Sequence, residues 1–477
     1  MMKISYIEPI RKNKKTVERV FGCSYVNYAF PNIYILIILA LLEKNYKVSY
    51  NQQFLYFKHS GSLRKFLTDD KTDIYLIFSV NLSMEGDIAF AKNILDIDKG
   101  KIIIFLGPAP TFFTDRFIFD KNTYVIRGEP DLAAPDLIDA LALNKEPQAV
   151  DGVSYLKNGQ IVHNKARAVV EELDALPFPA RHLVEPNKFF NPKLGLRPFT
   201  VMLTSRGCSH RCIYCVPCSL NFARELEFKK THGYKPPVRL RSADNVIEEF
   251  KLLKGSGYRA ISIIDDQFVW DKQRALDICS GISGLNLSWG CLSRVNHVDA
   301  GVIKAMQEAG CKYVDIGVES FAQQILDYTK KDITSGELIE GIRLFKKYKI
   351  FVKLNILFGA SHYETKETVK YTLKKIKEIN PDQVMFDVCS PFPGTEFYEI
   401  AKRENWLLGG DYQPIDVAHS ANISYPHLPA RELEKIVKSA NLHFFFNAKF
   451  IIKNISRLKN LSYIIEALKA LLKKLFK

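Results

Sequence analysis

Three closely spaced cysteines are the part of this sequence best suited to chemistry. Cys208, Cys212 and Cys215 follow the spacing Cys-x3-Cys-x2-Cys, and the aromatic residue Tyr214 directly precedes the last of them. Three thiolates from one short loop can hold three corners of a cubane iron–sulfur cluster and leave the fourth iron open. An open iron can bind and reduce a cofactor, whereas a cluster with four cysteine ligands mainly transfers electrons. The spacing therefore predicts a cluster that takes part in a reaction.

A structural zinc site is the alternative interpretation of the same loop. Cys218 follows at a further x2 spacing, so four cysteines could coordinate zinc. Structural zinc sites usually divide their ligands into two pairs across a longer loop, so four ligands this close would form a cramped tetrahedron. We therefore expect Cys218 to be a buried thiol near the cluster. The other cysteines are scattered singly, and the absence of a secretory signal or a paired disulfide spacing predicts a reducing, cytoplasmic location.

The positive charge of the chain is concentrated towards its C-terminal end. The formal net charge is +15, and residues 449–477 contain eight basic residues against one acidic residue. Apolar residues recur there at steps of three or four, which predicts a basic amphipathic helix interrupted near 460–462. This helix could make peripheral contact with the inner face of a membrane, or it could dock on the protein itself.

Two other classes of partner or location have little support in the sequence. The basic residues carry no interleaved aromatic pattern and no known module, so we expect no nucleic acid partner. The longest apolar run, at 33–42, has about half the length that a membrane-spanning helix needs. We expect it to be a buried helix.

Residues 1–145 alternate strand-like and helix-like segments. Short strands are predicted at 3–7, 47–50, 73–80, 101–106 and 123–126, and helices at 33–44, 63–67, 85–97 and 131–143. Apolar strands of this kind suit a parallel sheet that is buried on both faces. The pattern predicts a doubly wound, Rossmann-like α/β domain with its ligand site at the carboxyl ends of the strands. The loops at these ends contain Ser79, Asn81, Gly107, Pro108, Gly128 and Glu129.

Residues 146–196 predict a linker. A hairpin is expected at 152–163 with Asn158 and Gly159 at its turn, because this dipeptide favours tight hairpin turns. The prolines of 176–181 then disfavour regular structure.

A second alternation of strands and helices over 197–400 must position the cysteine loop. Strands are predicted at 200–205, 260–264, 287–293, 313–318, 351–358 and 383–389, with helices such as 243–254, 299–308 and 365–379 between them. Six strand–helix units predict a partial (β/α)6 barrel with its active site at the carboxyl ends of the strands. The residues that follow these strands include Asp265, Asp266, Arg294, Glu319, Ser320 and Gly359. Residues 401–477 would form a C-terminal region with the basic amphipathic helices.

The cysteine motif and the two alternating regions resemble the radical S-adenosylmethionine (radical SAM) enzymes that have an N-terminal cobalamin-binding domain. The resemblance covers roughly residues 1–400 and implies a 4Fe–4S cluster on the three cysteines. In the first domain it is carried by the helix opened by Phe30-Pro31, the strand ending at Ser79, the Gly107-Pro108 turn and Arg127-Gly128-Glu129. It implies a cobalamin site at the six loop residues named above for the first domain.

The first domain also departs from that family. The Asp-x-His-x-x-Gly signature of some cobalamin proteins is absent, and His59 does not belong to a version of it. Its absence implies cobalamin held without a histidine ligand, or a degenerate domain that no longer binds it. Asn32 and the two residues after it replace the small, glycine-containing start expected for the first helix.

In the barrel, the resemblance implies how S-adenosylmethionine (SAM) would be held. Asp265 and Asp266 align with the segment that receives the methionine amino group, and Arg294 could pair with the methionine carboxylate. Glu319 and Ser320 match the ribose-binding element. Tyr214 would pack near the adenine. After Gly359 the family usually has Gly-x-Pro-Gly-Glu-Thr. This chain has one residue more, and the prolyl-glycyl turn is lost.

The resemblance implies radical chemistry at an unactivated carbon. In such enzymes the reduced cluster cleaves SAM to a 5′-deoxyadenosyl radical, and in the methyltransferase members methylcobalamin supplies the methyl group. We therefore expect a cobalamin-dependent methyltransferase that acts on a small-molecule or lipid substrate and receives electrons from a donor protein. A cobalamin-linked cyclase or oxidoreductase and a non-catalytic iron–sulfur redox or scaffold protein are the alternatives.

Overall fold

The computed structural model describes residues 1–9, 17–25, 30–52 and 60–445. The chain divides into two compact units. The first comprises 1–189, 200–209 and 216–245, and the second comprises 190–199, 210–215 and the residues from 246 onwards. His59 and the predicted amphipathic helices of 450–476 lie outside the described residues.

The first unit is built on a parallel sheet extended by a hairpin. Its strands in the described residues are β1 (Lys3–Glu8), β2 (Lys47–Gln52), β3 (Ile74–Phe78), β4 (Ile102–Leu106), β5 (Thr123–Ile126), β6 (Val153–Lys157) and β7 (Gln160–His163). Their order is β2-β1-β3-β4-β5-β6-β7, and the first five run parallel. The predicted hairpin adds β6 and β7 antiparallel to β5. Asn158 (φ 50°) and Gly159 (φ 79°) form its left-handed turn, as their sequence favours.

Helices cover both faces of this sheet, as the buried pattern of β3 and β4 requires. They are α1 (Ile33–Leu42), α2 (Ser60–Asp69), α3 (Met84–Ile97), α4 (Pro108–Phe112), α5 (Thr114–Phe117) and α6 (Ala133–Ala142). The prediction of a doubly wound α/β domain is confirmed. Helix α1 is buried as predicted, and among the described residues no helix is long and apolar enough to cross a membrane.

The unexpected start of α1 has a local explanation. Asn32 caps the helix, because its side-chain oxygen accepts the amide N–H of Ile35 at 3.4 Å. Its own backbone N–H donates to the hydroxyl of Tyr50 at 2.7 Å, and its side-chain amide lies 3.4 Å from the hydroxyl of Tyr6. Asn32 therefore ties the helix to β1 and β2, and a glycine at this position would lose the cap and the contact with Tyr6 of β1.

The second alternation also folds as predicted. Its strands are β8 (Phe199–Met202), β9 (Ser205–Arg206), β10 (Arg239–Leu240), β11 (Ala260–Ile263), β12 (Ser288–Ser293), β13 (Cys311–Glu319), β14 (Phe351–Phe358) and β15 (Gln383–Val388). The six longer strands form one sheet in the order β15-β14-β13-β12-β11-β8, while β9 and β10 pair separately. This is the strand order expected for a partial (β/α)6 barrel, in which successive parallel strands are neighbours.

The helices of this part of the chain alternate with the strands. They are α7 (Ser219–His232), α8 (Ala243–Gly255), α9 (Lys272–Ile282), α10 (Ala300–Glu308), α11 (Gln323–Tyr328), α12 (Ser335–Lys347), α13 (Lys366–Ile379), α14 (Glu396–Arg403) and α15 (Ala430–Phe445). Along β14, alternate residues such as Val352 and Leu354 are buried beneath helices, whereas Lys353 and Asn355 are only partly buried. The parallel strands deliver their following loops to one edge, which is where the predicted site residues lie.

Candidate active site at the cysteine loop and the barrel rim

The three motif cysteines remain available as thiols. All nine cysteines are outside disulfides, and Cys208, Cys212 and Cys215 are partly exposed, whereas Cys218 is buried. The backbone N–H of Cys215 donates to the carbonyl of Cys212 at 3.3 Å, so these two residues share a tight turn. The described residues contain no preassembled group of three or more His, Cys, Asp or Glu side chains for a metal. The chemistry and the spacing of the three thiols nevertheless fit an iron–sulfur cluster.

Arg294, which follows β12, reaches the cysteine loop. One of its guanidinium nitrogens lies 3.8 Å from the sulfur of Cys212, and another donates to the backbone carbonyl of Lys331. Its Nε lies 3.3 Å from the side-chain oxygen of Asn296. These contacts fix a positive charge beside one cluster-binding thiol. The predicted pairing of Arg294 with a carboxylate of SAM stays a prediction.

Glu319, at the end of β13, belongs to a buried charge pair. Its carboxylate accepts from Lys331 Nζ at 2.8 Å, and Lys331 Nζ also lies 3.4 Å from the hydroxyl of Tyr214. Burial disfavours the ammonium, but the charges of Glu319 and Cys212 outweigh burial and raise the pKa of Lys331. Burial, followed by the charges of Glu319, Cys212 and Cys215, raises the pKa of Tyr214 well above its ordinary value. The phenol is therefore neutral and the lysine charged at neutral pH.

The backbone around Glu319 is shaped for this pair. Glu319 has φ 64°, in the left-handed region that a glutamate rarely adopts, and β13 is irregular relative to β14 between Gly317 and Glu319. A Cβ atom on Gly317 would lie 2.7 Å from Glu319 Oε1 and 3.1 Å from Lys331 Nζ. Gly317 therefore leaves the space into which the carboxylate turns. Strain of this kind is often kept at functional sites.

Two other predicted rim residues are held by the fold. The hydroxyl of Ser320 lies 3.0 Å from that of Thr372 and accepts from the amide of Ala322 at 3.1 Å. Gly359 has φ 81°, and its carbonyl accepts from the hydroxyl of Tyr425 at 2.9 Å. Contacts of Ser320 and Gly359 with SAM stay predictions.

The two predicted aspartates after β11 have different surroundings. Asp265 is fully buried, whereas Asp266 is partly exposed. Both residues belong to the segment predicted to receive the methionine amino group, and that role stays a prediction for each.

The loop that departs from the family pattern keeps its acidic residue. Glu364 is buried and accepts from the amide of Gly359 at 2.7 Å, while Thr365 caps α13. Burial raises the pKa of Glu364 to about 7. The hydrogen bond between Glu364 and Gly359 therefore joins the two ends of the longer loop, although the prolyl-glycyl turn is lost.

The sequence did not single out His210, His297, Trp270 or Lys331, which lie in or beside the cysteine loop. His210, inside the motif, faces His297 with 3.0 Å between their Nε2 atoms, and its ring stacks on Trp270 with centroids 5.8 Å apart. Burial and the nearby charge of Arg294 lower the pKa of His210 to about 4. Lys331 was missed as well, because it follows a helix rather than a strand. The only sequence signal for these contacts was the position of His210 between two of the motif cysteines.

In the first unit, the predicted residues after β3 and β4 lie together. Gly107 has φ 104°, and a Cβ atom there would lie 2.6 Å from the carbonyl oxygen of Ser79, so only glycine fits. The Ser79 hydroxyl lies 3.4 Å from that of Ser83, and Pro108 begins α4. Asn81 is buried, and its side-chain oxygen has no hydrogen-bond partner among the described residues. An unused buried acceptor at this edge fits a polar ligand group.

The residues after β5 make mainly structural contacts. The amide of Gly128 donates to the hydroxyl of Thr111 at 3.0 Å. One carboxylate oxygen of Glu129 accepts from Arg206 at 2.5 Å, and the other accepts from the amide of Val170 at 2.6 Å. Both oxygens of Glu129 therefore bind protein groups, and its predicted contact with cobalamin stays a prediction.

Arg206 was missed by sequence reasoning although it lies two residues before Cys208. Its guanidinium makes a bidentate pair with Asp131 at 2.8 and 3.0 Å, in addition to its contact with Glu129. All three side chains are buried. This pair fixes the strand that leads into the cysteine motif.

Comparisons with known proteins concern the family and the fold of the chain. The model of the radical SAM superfamily matches residues 202–376. A protein of Pyrococcus horikoshii named as an uncharacterized methyltransferase is 30% identical over 400 residues, which cover 83% of each chain.

Solved structures with the same fold have low sequence identity. The radical SAM methyltransferase TsrM from Kitasatospora setae, solved with cobalamin and a 4Fe–4S cluster, has a TM-score of 0.65 at 13% identity, over 84% of this chain and 75% of that one. The cobalamin-dependent radical SAM enzyme OxsB, solved with aqua-cobalamin and SAM, has a TM-score of 0.69 at 17% identity, over 95% of this chain and 67% of that one. At these identities the likenesses concern the fold.

Proposed function

Because the chain belongs to the radical SAM superfamily, we propose that it is a cobalamin-dependent methyltransferase that acts on an unactivated carbon of a small molecule. The observation that carries the proposal is the contact of Arg294 with Cys212 beside the buried pair of Glu319 and Lys331. Three further features support it: the cysteine spacing, the name of the Pyrococcus relative, and a first unit that shares its fold with two cobalamin enzymes. The same name favours methyl transfer over ring formation or a non-catalytic role.

The residues of the rim have distinct tasks in this proposal. Cys208, Cys212 and Cys215 would hold three irons of the cluster, and Arg294 would bind the carboxylate of SAM near the open iron. When bound, the cluster supplies the electron that cleaves SAM, and cobalamin supplies the methyl group. Lys331 orients the carboxylate of Glu319, so that it can accept hydrogen bonds from ribose hydroxyls. The buried phenol of Tyr214 excludes water from the adenine side.

The edge of the first unit would hold the cobalamin. The unused oxygen of Asn81 can accept a hydrogen bond from a large ligand at this edge. Ser79 and Pro108 border the same edge. A donor protein would supply electrons.

The experiment that tests the function is anaerobic reconstitution with iron, sulfide and hydroxocobalamin, followed by product analysis under reducing conditions. We expect a 4Fe–4S signal in electron paramagnetic resonance that SAM perturbs, with cobalamin retained after desalting. Incubation with substrate should convert SAM to both 5′-deoxyadenosine and S-adenosylhomocysteine. Formation of 5′-deoxyadenosine alone would contradict methyl transfer, and the absence of a cluster would contradict the whole proposal.

Single serine substitutions test which thiols hold the cluster. We expect Cys208→Ser, Cys212→Ser and Cys215→Ser each to abolish the SAM-perturbed signal, because each removes one of only three ligands. Cys218→Ser is the matched control within the same loop, since its buried thiol lies outside the motif. The zinc interpretation would be favoured if the native protein bound zinc instead of iron and Cys218→Ser lost the metal centre.

A further inference from the structure

The inner face of the barrel carries two rows of side chains that have no role in the proposed function. By register, Leu292, Asp315, Lys353 and Gln383 lie side by side on β12 to β15, and Gly317, Asn355 and Met385 form the next row towards the rim. These positions are partly exposed, whereas the residues between them on each strand are buried. Barrel interiors are usually filled by large apolar side chains. Solvent-accessible space therefore reaches the inner face of the barrel at these two rows.

The deeper row together with Lys193, a group that we call the floor, carries two positive charges and one negative charge. Lys193 Nζ lies 2.7 and 2.6 Å from the two carboxylate oxygens of Asp315, and 3.8 Å from the ring centroid of Tyr313. Lys353 Nζ lies 3.6 Å from the same carboxylate, with its side chain only 13% exposed. Two ammonium groups thus share one carboxylate in a poorly solvated place. A surplus buried charge is costly unless an opposite charge is supplied.

The row above the floor contains an unused polar group. The Asn355 side chain makes no hydrogen bond with any residue that the structure describes, and its Oδ1 atom is buried. Its neighbours across the sheet are Gly317, which has no side chain, and the flexible apolar Met385. Buried polar groups in folded proteins nearly always have a partner, so an unpaired amide oxygen on this partly exposed row points to a ligand.

This space adjoins the rim. The position that a side chain of Gly317 would occupy lies within about 3 Å of the Glu319–Lys331 pair. A molecule above Gly317 would therefore touch the residues assigned to SAM. Its far end would reach the floor, because alternate residues of a strand are about 7 Å apart.

We propose that Lys353 and Asn355 determine substrate specificity, and that the substrate is a small organic acid whose carboxylate or phosphate pairs with Lys353 while a hydrogen-bond donor binds Asn355 Oδ1. The inference rests on the proposed function, since it takes the rim as the place of reaction. The carbon that reacts lies beyond the donor group, against Gly317 and Met385. A neutral lipid would supply no negative charge to Lys193 and Lys353, which share one carboxylate, so the lumen disfavours it.

Small probes can test this without knowledge of the natural substrate. We would titrate the reconstituted full chain, saturated with SAM so that Arg294 is occupied, with 4-hydroxybutyrate, butyrate and butane-1,4-diol, and follow binding by saturation-transfer difference NMR. The first probe has an acid and a hydroxyl at about the spacing of the two rows. Butyrate has only the acid, and butane-1,4-diol has only hydroxyls. We expect 4-hydroxybutyrate to bind best and the diol weakest.

Variants assign each contact. Lys353→Met should weaken 4-hydroxybutyrate and butyrate at least fivefold and leave the diol unchanged, and Lys353→Arg should restore both acids. Asn355→Leu, which keeps the volume, should weaken 4-hydroxybutyrate but not butyrate. Lys370→Met removes an exposed charge from α13 and should change nothing. If Lys353→Met does not fold, Lys353→Gln replaces it in the same comparison.

Two outcomes would overturn the inference. One is equal binding of the acids by Lys353→Met, Lys370→Met and the native protein. The other is a diol that binds as well as the acids. Both can occur while the cluster forms and SAM is cleaved, so they differ from a failure of the proposed function, which would appear as a missing cluster or missing products.

Discussion

Lys330 and Lys331 are neighbours in the sequence, and each pairs with a glutamate, but their surroundings differ. The Lys331–Glu319 pair, at 2.8 Å, has side chains 7% and 8% exposed. The Lys330–Glu396 pair, at 2.7 Å, has side chains 48% and 50% exposed. Removing one partner of a buried pair leaves a desolvated charge, whereas an exposed charge remains solvated by water.

Matched methionine substitutions should separate the two pairs. We expect Lys331→Met to lower the free energy of unfolding by about 3–5 kcal/mol and Lys330→Met by less than about 1 kcal/mol. Urea denaturation of the two variants and the native chain measures both values. Equal losses would show that Glu319 finds another partner or is hydrated, and would remove Lys331 from the proposed site.

Glu364 predicts a pH dependence of stability. Burial raises its pKa from 4.5 to about 7, so the folded chain binds a proton more tightly than the unfolded chain. The resulting stabilisation is complete below about pH 4.5 and is lost as pH rises through about 7. Relative to Glu364→Gln, which stays neutral, the native protein should lose roughly 3 kcal/mol of unfolding free energy between pH 4.5 and 8.

Denaturation of both proteins at several pH values measures this difference. A constant difference across the range would mean that Glu364 is charged in the folded protein. The carboxylate would then have to be solvated or paired with a cation in solution.

At the scale of elements, α12 offers a test of packing within one helix. A Cβ atom on Gly336 would meet only the hydroxyl oxygen of Thr334, at 3.9 Å, whereas one on Gly341 would lie 2.3 Å from the Cβ of Val295. We expect Gly336→Ala to stabilise the protein by about 0.5–1 kcal/mol, because alanine loses less entropy in a helix. Gly341→Ala should destabilise it by about 1–3 kcal/mol through overpacking.

Thermal unfolding of the two variants should therefore shift in opposite directions. A stabilising Gly341→Ala substitution would mean that α12 can move away from the turn after β12 at little cost. In that case α12 would not hold Arg294, one residue before Val295, in place.

The strands and most helices could be predicted because their patterns are local. Apolar runs of five residues predicted β3 and β4, and the Asn158-Gly159 dipeptide predicted the hairpin. The cysteine motif and the rim could be predicted because parallel strands end at one edge. Lys331, His297 and Asn355 could not, since their importance depends on which side chains meet them across the barrel. No periodicity in a single sequence contains that information.

The charge of the whole molecule predicts its behaviour at membranes. Residues 449–477 supply seven of the fifteen net positive charges. If this segment makes peripheral membrane contact, as its sequence pattern suggests, the full chain should co-sediment with phosphatidylglycerol vesicles. A chain that ends at Ala448 should not. Binding should weaken between about 0.1 and 1 M salt, because exposed charges are screened. Equal sedimentation of the two chains would assign the segment to the protein itself.

The hairpin of β6 and β7 changes what the first sheet presents to other molecules. Without it, β5 would be an edge strand with open backbone groups beside the apolar β4, and such edges pair readily with strands of another chain. With it, that edge is β7, which is four residues long and has exposed Gln160 and His163 at its ends. Short edge strands with polar residues resist this pairing. The hairpin should therefore protect the protein from aggregation at the concentrations that anaerobic reconstitution requires.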